Sequence, residues 1–432
     1  MKKIVVVILI SIIAGFAAPV FAGAAAAKDL PERSYAAASE PAGAFAAEKK
    51  MPAEKKSSAA KISLRTLNLM KALNVAGAVV IVIKDGAPPY EAALGYADID
   101  NKAAFSFDKT IFPAGSLSKV ITAMAVLKLS EAGRLELNAP SAALFNAAGL
   151  LSPLKCLAEL NIDKRVTLLS LLTHSSGFEN RAVPFYSDAG DSGSPPPFIA
   201  EFAAKNHSAF NVKKAGVSFQ YANFNYALLG SLIENAAGMG YNEYIKSVIF
   251  SPLEMNYSSF DPFDLYKNLA SGGFEYNIAS GPAGGGSNSG VPAVKRHNMP
   301  SASGFLTCGA DMSKLIIELI SLSSASSVPG GRKSSKIFKD PAAASLLFKK
   351  LMPVNKKDAP LIDKFPPFDY MAAGFRRSFY NSREIFWHTG GLRGYSCGLY
   401  IIPQTSSAYF IAYNSSDSVL RQKLIKFLFD NY

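Results

Sequence analysis

The sequence predicts an α+β fold: one antiparallel sheet assembled from the first and last parts of the mature chain, flanked by terminal helices, with a mostly helical subdomain inserted between. Three observations lead there. A β-branched run spans Ala78 to Ile83, further strand-like runs crowd the C-terminal end, and helical periodicity fills the long stretch between them. The 432 residues, 49% hydrophobic and 18% charged, exceed one small domain and are too apolar for a disordered chain, so a sizeable core can form.

At the N-terminus, Lys2 and Lys3 precede the apolar run Ile4 to Phe16, and Val20-Phe21-Ala22 offers small residues for cleavage. Residues 1–22 therefore read as a signal peptide, which makes the mature chain periplasmic or secreted. The run is shorter than the ~20 residues a membrane span needs, and no later apolar stretch is long enough, so no stable membrane span is expected in the mature chain. Residues 23–62, rich in Ala, Glu, Lys and Pro with almost no large aliphatic side chains, read as a disordered tether. One domain, residues 63–432, is expected after it, with a sheet subdomain (63–115 and 311–432) and a helical subdomain (116–310). Leu64, Leu67, Met70 and Leu73 recur at helical spacing, and the run Ala78 to Ile83 ends at the turn signal Asp85-Gly86. A helix beyond Phe112 carries Leu117, Val120, Ile121, Met124 and Leu127 on one stripe and stops at Gly133; others are expected at Val166 to Leu172 and Asn225 to Ala236. Gly-, Ser- and Pro-rich stretches, Ala189 to Pro197 and Ser280 to Pro292, read as loops. The chain closes with strands Glu384 to His388, Tyr395 to Ile402 and Ala408 to Tyr413, then an amphipathic helix, Val419 to Phe429, with Leu420, Leu424, Phe427 and Leu428 inward.

Composition excludes several functions. Lys and Arg number 45 against 33 Asp and Glu, a net charge of +12, yet no basic run exceeds two residues, so no nucleic-acid partner is expected. Three separated cysteines, Cys156, Cys308 and Cys397, rule out a disulfide scaffold and a thiolate-rich metal site. The four isolated histidines, His174, His207, His297 and His388, give metal catalysis no foothold, and no cofactor is expected. Gly284-Gly285-Gly286 lacks the strand and the Gly-Lys-Ser/Thr ending of a phosphate cradle. Gly190-Asp191-Ser192-Gly193-Ser194-Pro195 imitates a trypsin-like serine segment, but Pro195 to Pro197 break any strand after it, and it reads as an exposed loop.

Ser116-Leu117-Ser118-Lys119 has the spacing of a nucleophile. A serine and a lysine three apart at a helix N-terminus share one face, so the amine can reach the hydroxyl. A buried lysine loses its proton more readily and can then activate the serine, whose own N–H helps hold an oxyanion. Ser-x-x-Lys also occurs at Ser58, Ser106 and Ser152, and a serine there can equally cap a helix.

The string Phe112-Pro113-Ala114-Gly115-Ser116-Leu117-Ser118-Lys119 resembles the nucleophile motif of the class C β-lactamase superfamily, which includes penicillin-binding DD-peptidases and esterases. Tyr221-Ala222-Asn223, with Phe224-Asn225-Tyr226-Ala227-Leu228-Leu229-Gly230 after it, resembles that family's Tyr-x-Asn segment; Tyr266-Lys267-Asn268 repeats the triplet without those surroundings. His388-Thr389-Gly390, which occurs once, resembles its Lys/His-Thr-Gly strand. Leu171-Leu172-Thr173-His174-Ser175-Ser176-Gly177 and Ser301-Ala302-Ser303-Gly304 to Met312 extend the likeness over about residues 63 to 432. The resemblance implies a β-lactamase/transpeptidase-like fold and a catalytic group of Ser116, Lys119 and Tyr221. It also implies an oxyanion hole from the N–H groups of Ser116 and Gly391, and substrate contacts from Asn223, His388, Thr389 and Gly390 on a sheet edge. His174 reads as a structural, helix-ending residue.

Together these motifs imply an exported serine hydrolase working through an acyl-enzyme on an ester, D-alanyl peptide or β-lactam carbonyl. Its partner is a small-molecule or peptide substrate, a cell-wall peptide among the candidates. Many relatives carry lysine where His388 stands; an imidazole is mostly neutral at pH 7, so peptidase or esterase activity is expected over efficient β-lactam hydrolysis. The rival reading is a penicillin-binding-like module that captures a cell-wall peptide or protein partner without turnover.

Overall fold

The computed structural model describes residues 53–140, 166–179, 214–271, 277–278, 297–327, 334–355, 357 and 365–432. The expected leader, most of the tether, both Gly/Ser/Pro-rich loops, Ser152, Cys156 and His207 lie outside the described residues.

In chain order, helix α1 (Ala53–Ala72) precedes strands β1 (Gly77–Ile83), β2 (Tyr90–Asp98), β3 (Ala103–Ala104) and β4 (Thr110–Gly115). The middle holds α2 (Ser118–Glu131), α3 (Leu168–Leu172), α4 (Asn223–Ala237), α5 (Tyr241–Ile245), α6 (Pro262–Ser271), β5 (Asn277–Ile278), α7 (Pro300–Ser303), β6 (Phe305–Thr307) and α8 (Gly309–Ser327). The chain ends with β7 (Met352–Pro353), β8 (Tyr370–Met371), β9 (Arg376–Tyr380), β10 (Arg383–Leu392), β11 (Tyr395–Ile402), β12 (Ser407–Tyr413) and α9 (Val419–Asn431).

Nine strands form one antiparallel sheet in the order β3-β2-β1-β12-β11-β10-β9-β8-β7. First and last strands meet at its centre, Val80 opposite Ile411 and Val82 opposite Tyr409, so the two chain ends do build one sheet. The run at Ala78 to Ile83 is continuously apolar because β1 is covered on both faces. Val80 and Val82 pack with Ile62, Leu69, Leu420, Leu424 and Leu428 beneath α1 and α9, whereas Val79 and Ile81 join the core with α2, α4 and α8. Among the described residues no helix is long and apolar enough to cross a membrane.

Two sequence expectations need correction. Helix α1 starts at Ala53, inside the stretch expected to be tether, because Ala59 and Ile62 already pack on the sheet side. The sheet subdomain does not extend to residue 115: β4 pairs with β5 and β6 in a separate three-stranded sheet. In α2 the expected stripe Leu117, Val120, Ile121, Met124 and Leu127 is buried, and the burial extends all round the helix from Ser118 through Leu127. Strand β9, for which the sequence reading states no expectation, pairs with β10 through the two-residue turn Asn381-Ser382, both residues at positive φ, a hairpin geometry matching the sheet's twist.

Candidate active site

Ser116 stands where β4 turns into α2. Gly115 has φ +52°, a left-handed conformation that L side chains rarely adopt, and a Cβ there would lie 2.9 Å from the Gly391 nitrogen. Ser118 locks the turn: its hydroxyl donates to the Gly115 carbonyl at 2.6 Å and accepts from the Phe305 N–H at 3.0 Å. Ser116 itself is half-buried, at the positive end of a fourteen-residue helix.

Lys119, one turn on, is fully buried. Its Nζ lies 3.1 Å from Ser116 Oγ, 2.8 Å from Asn223 Oδ1 and 2.8 Å from the Ala302 carbonyl oxygen. Three ammonium protons thus face three acceptors; equally, a neutral amine can give two protons to Asn223 and Ala302 and take one from Ser116. Burial lowers the lysine pKa, Tyr221 opposes that shift, and the Arg376 charge adds to it. Tyr221 Oη donates to Ser116 Oγ at 3.1 Å, and its ring lies beneath two cations, 5.1 Å from Lys119 Nζ and 5.7 Å from the Arg376 guanidinium. Burial alone would raise the Tyr221 pKa; Lys119 and Arg376 outweigh it and bring the phenol below its ordinary value. Hydroxyl, amine and phenol are therefore joined in one hydrogen-bonded unit whose proton can sit on either nitrogen or oxygen.

The third motif arrives on β10, which the family resemblance puts at a sheet edge. It is an interior strand, flanked by β9 and β11. Its pairing with β9 stops at Trp387, while pairing with β11 continues to Leu392, so His388 to Leu392 outrun their neighbour and form a local edge against β4. The approach is too close for a side chain. A Cβ on Gly390 would sit 2.0 Å from the Ala114 carbonyl oxygen and 2.6 Å from Cys397 Sγ, which itself donates to that oxygen at 3.2 Å. Gly391, exposed, thereby lies beside the turn that carries Ser116.

Around this edge the expected substrate contacts divide. Thr389 Oγ1 accepts from Arg376 at 3.1 Å. His388 is only 1% exposed, and its Nδ1 donates to the Thr389 carbonyl at 2.7 Å. Asn223 heads α4 with its side-chain oxygen on Lys119, so its first partner is the lysine. Arg376, 4% exposed and packed on the rings of Trp387, Phe368 and Tyr221, is a site residue that sequence reasoning misses. The signal for it is weak: a short run, Arg376-Arg377-Ser378-Phe379-Tyr380, before an Asn-led turn. Ala302 contributes only its carbonyl, which no side-chain motif announces.

The decoy copies behave as ordinary structure. Ser106 Oγ donates to Asp108 at 2.6 Å in an exposed turn, Ser58 lies within α1, and Tyr266-Lys267-Asn268 falls inside α6.

A nine-stranded antiparallel sheet between two helical layers, with Ser-x-x-Lys and Tyr-x-Asn joined by hydrogen bonds and His-Thr-Gly on the strand that runs beside the turn carrying Ser116, defines a fold of the β-lactamase/transpeptidase type. The chain belongs to the Beta-lactamase family, whose model matches residues 66–430. Protein flp of Staphylococcus aureus (strain COL) is 28% identical over 197 residues, covering 43% of this chain and 35% of that protein, so the match spans about a third of the relative's length. The octameric penicillin-binding protein homologue from Pyrococcus abyssi superposes with a TM-score of 0.62 at 23% identity, covering 86% of this chain and 77% of that one. A class C β-lactamase mutant superposes with a TM-score of 0.65 at 16% identity, covering 88% and 98%.

Proposed function

We propose that this chain is an exported serine hydrolase that forms an acyl-enzyme at Ser116, with a carboxylate-bearing D-alanyl peptide of the cell wall as the substrate class that best fits the site. One observation carries the reading: Ser116 Oγ lies 3.1 Å from both Lys119 Nζ and Tyr221 Oη. In the forward step Ser116 Oγ attacks the scissile carbonyl carbon, and its proton passes to the Lys119–Tyr221 unit. The N–H groups of Ser116 and Gly391 hold the oxyanion of the tetrahedral intermediate. Tyr221 returns the proton to the departing amine or alkoxide, leaving an ester on Ser116 that water then hydrolyses by the same route.

The preference for a carboxylate follows from charge. Histidine at position 388 supplies no permanent cation, but the buried Arg376 guanidinium reaches Thr389, on the strand proposed to bind the substrate. A negative group lying along Thr389 gains from that charge; a neutral ester does not. The leader read from residues 1–22 would deliver the domain to the compartment where such peptides occur.

The test is a panel of nitrocefin, p-nitrophenyl esters and D-alanyl-D-alanine peptides, run on the mature protein beside Ser116→Ala. Turnover should fall by ~10⁴-fold or more in the variant. A fluorescent penicillin should label Ser116, located by peptide mass spectrometry. Wild-type rates in Ser116→Ala would overturn the assignment, and a permanent adduct with no turnover of any substrate would make the protein a capture module.

A further inference from the structure

The turn that carries Tyr221 is held by a residue the proposed mechanism does not use. His174 follows α3 with φ +55°, a left-handed conformation that histidine tolerates better than branched residues do. Its side chain is fully buried. Nδ1 accepts the backbone N–H of Ala222 at 3.2 Å, which fixes the imidazole proton on Nε2. The Asn225 amide nitrogen lies 3.2 Å from the same Nδ1, its orientation set by Ser176, whose hydroxyl donates to Asn225 Oδ1 at 2.6 Å. The His174 carbonyl accepts from the Gln220 N–H at 2.6 Å. Its ring centroid lies 4.4 Å from that of Tyr221 and 5.2 Å from that of Tyr226. Residues 220, 221, 222 and 225 are thus all anchored to one imidazole-bearing residue, on the N-terminal side and the C-terminal side of the tyrosine.

We propose that His174 is the positioning residue for Tyr221: as the neutral Nε2–H tautomer it fixes both the ring and the backbone of the Tyr221-Ala222-Asn223 turn. Tyr221 Oη and Asn223 Oδ1 then arrive together at Ser116 and Lys119. The assignment rests on the proposed role of Tyr221 as proton carrier. A second proton on His174 would set an N–H against the Ala222 and Asn225 donors and release the turn. Burial first, then the charges of Lys119 and Arg376, keep that proton off, holding the pKa well below the ordinary histidine value.

Acylation of Ser116 by a fluorescent penicillin, measured as a second-order rate against pH, tests this. Among the described residues, the charged and titratable groups around Tyr221 are Lys119 on α2, Tyr226 on α4, whose phenol burial keeps protonated, Arg376 on β9, His388 on β10 and His174 itself, with His297 beyond Lys119 held neutral by burial, at about 3. His174→Phe keeps a ring but no acceptor. It should acylate ~10²-fold more slowly, the effect of misplacing a reacting group by about an ångström. Its acid limb should also move to higher pH, because Tyr221 retreats from the two cations that hold its phenol down. His174→Asn tolerates the left-handed backbone and keeps an acceptor near Nδ1, so most of the pH profile should return. In a Tyr221→Phe background, His174→Phe should cost nothing further, since the group being positioned has gone. An unmoved acid limb in a folded His174→Phe protein would overturn the proposal, as would additive losses in the His174→Phe/Tyr221→Phe pair; if the Phe variant does not fold, a folded His174→Asn protein whose pH profile does not return overturns it instead. Absence of any label on Ser116 in the wild-type protein would instead overturn the serine hydrolase reading itself, and with it the role assigned here.

Discussion

Arg376 reaches one candidate substrate contact and two catalytic candidates at once: it donates to Thr389, lies over the Tyr221 ring, and lowers the pKa of both Lys119 and Tyr221. Its removal has a definite sign. Without that charge both groups titrate higher, and the base pair must still lose one proton before Ser116 can be activated, so the acid limb of kcat/KM moves to higher pH in Arg376→Gln. Loss of a charged hydrogen bond at Thr389, worth about 1.5–3 kcal/mol, should also lower kcat/KM for carboxylate-bearing peptides roughly ten- to a hundredfold. Neutral esters should show the pH shift with a much smaller loss. Arg376→Lys should restore the limb but not the full rate, because an ammonium lacks the planar fork. Equal losses on both substrate types would sink the carboxylate assignment. Ser116 and Lys119 are legible in the sequence because a spacing of three puts them one helical turn apart, while Tyr221 and His388 are legible only through the resemblance of their segments to the family's motifs. Arg376 is not, because nothing near it in sequence says that its strand lies beside His388-Thr389-Gly390; that follows only from the pairing of Trp387 with Arg376.

Strand β4 and the overrun of β10 meet through main chain and glycine, and their separation sets where the Ser116 and Gly391 N–H groups can point. Gly390→Ala would place a methyl 2.0 Å from the Ala114 carbonyl, backbone that cannot swing aside. Overpacking of this kind costs about 1–3 kcal/mol or more, so the melting temperature should fall by several degrees and Ser116 labelling should slow together. Gly391→Ala meets nothing within 4 Å, and its melting temperature should match wild type, which makes the adjacent pair a controlled comparison by calorimetry. A stable, fully reactive Gly390→Ala protein would show that the two strands do not fix the oxyanion geometry. Element boundaries are readable where a single physical rule dominates. Tyr395–Ile402 is apolar apart from Ser396 and Gly398 because it is buried on both faces, and Thr167 with Ser170 forms a capping box ahead of α3. They are unreadable where tertiary contact decides: β4 has strand character, but whether it joins the large sheet or pairs with β6 depends on Phe305 meeting Gly115 across a long sequence separation.

At the scale of the whole molecule, the two chain ends cooperate: β1 pairs with β12, and α1 packs with α9 over the sheet face opposite α2. The N-terminal boundary of that cooperative unit is where the sequence misleads most. Ala53 to Lys61 look like a continuation of the polar Ala/Glu/Lys stretch before them. Yet Ala59, Ile62, Thr66, Leu69 and Met70 are all buried, a sparse helical stripe that small and polar neighbours conceal. Tyr432 at the other terminus donates its hydroxyl to the Ser58 carbonyl at 3.3 Å, tying the last residue to the start of α1. A chain beginning at residue 53 should therefore melt with the full chain. One beginning at residue 73 forfeits the burial of Ile62, Leu69 and Met70, each worth about 1.5–3 kcal/mol, and uncovers part of the apolar surface around Leu424 and Leu428. That loss is on the order of 5 kcal/mol, comparable to the whole stability of many domains. The shortened chain should bind a hydrophobic dye, melt far below the full protein and lose Ser116 labelling as it unfolds. If it melted unchanged, α1 would be an appendage and the domain would begin at β1.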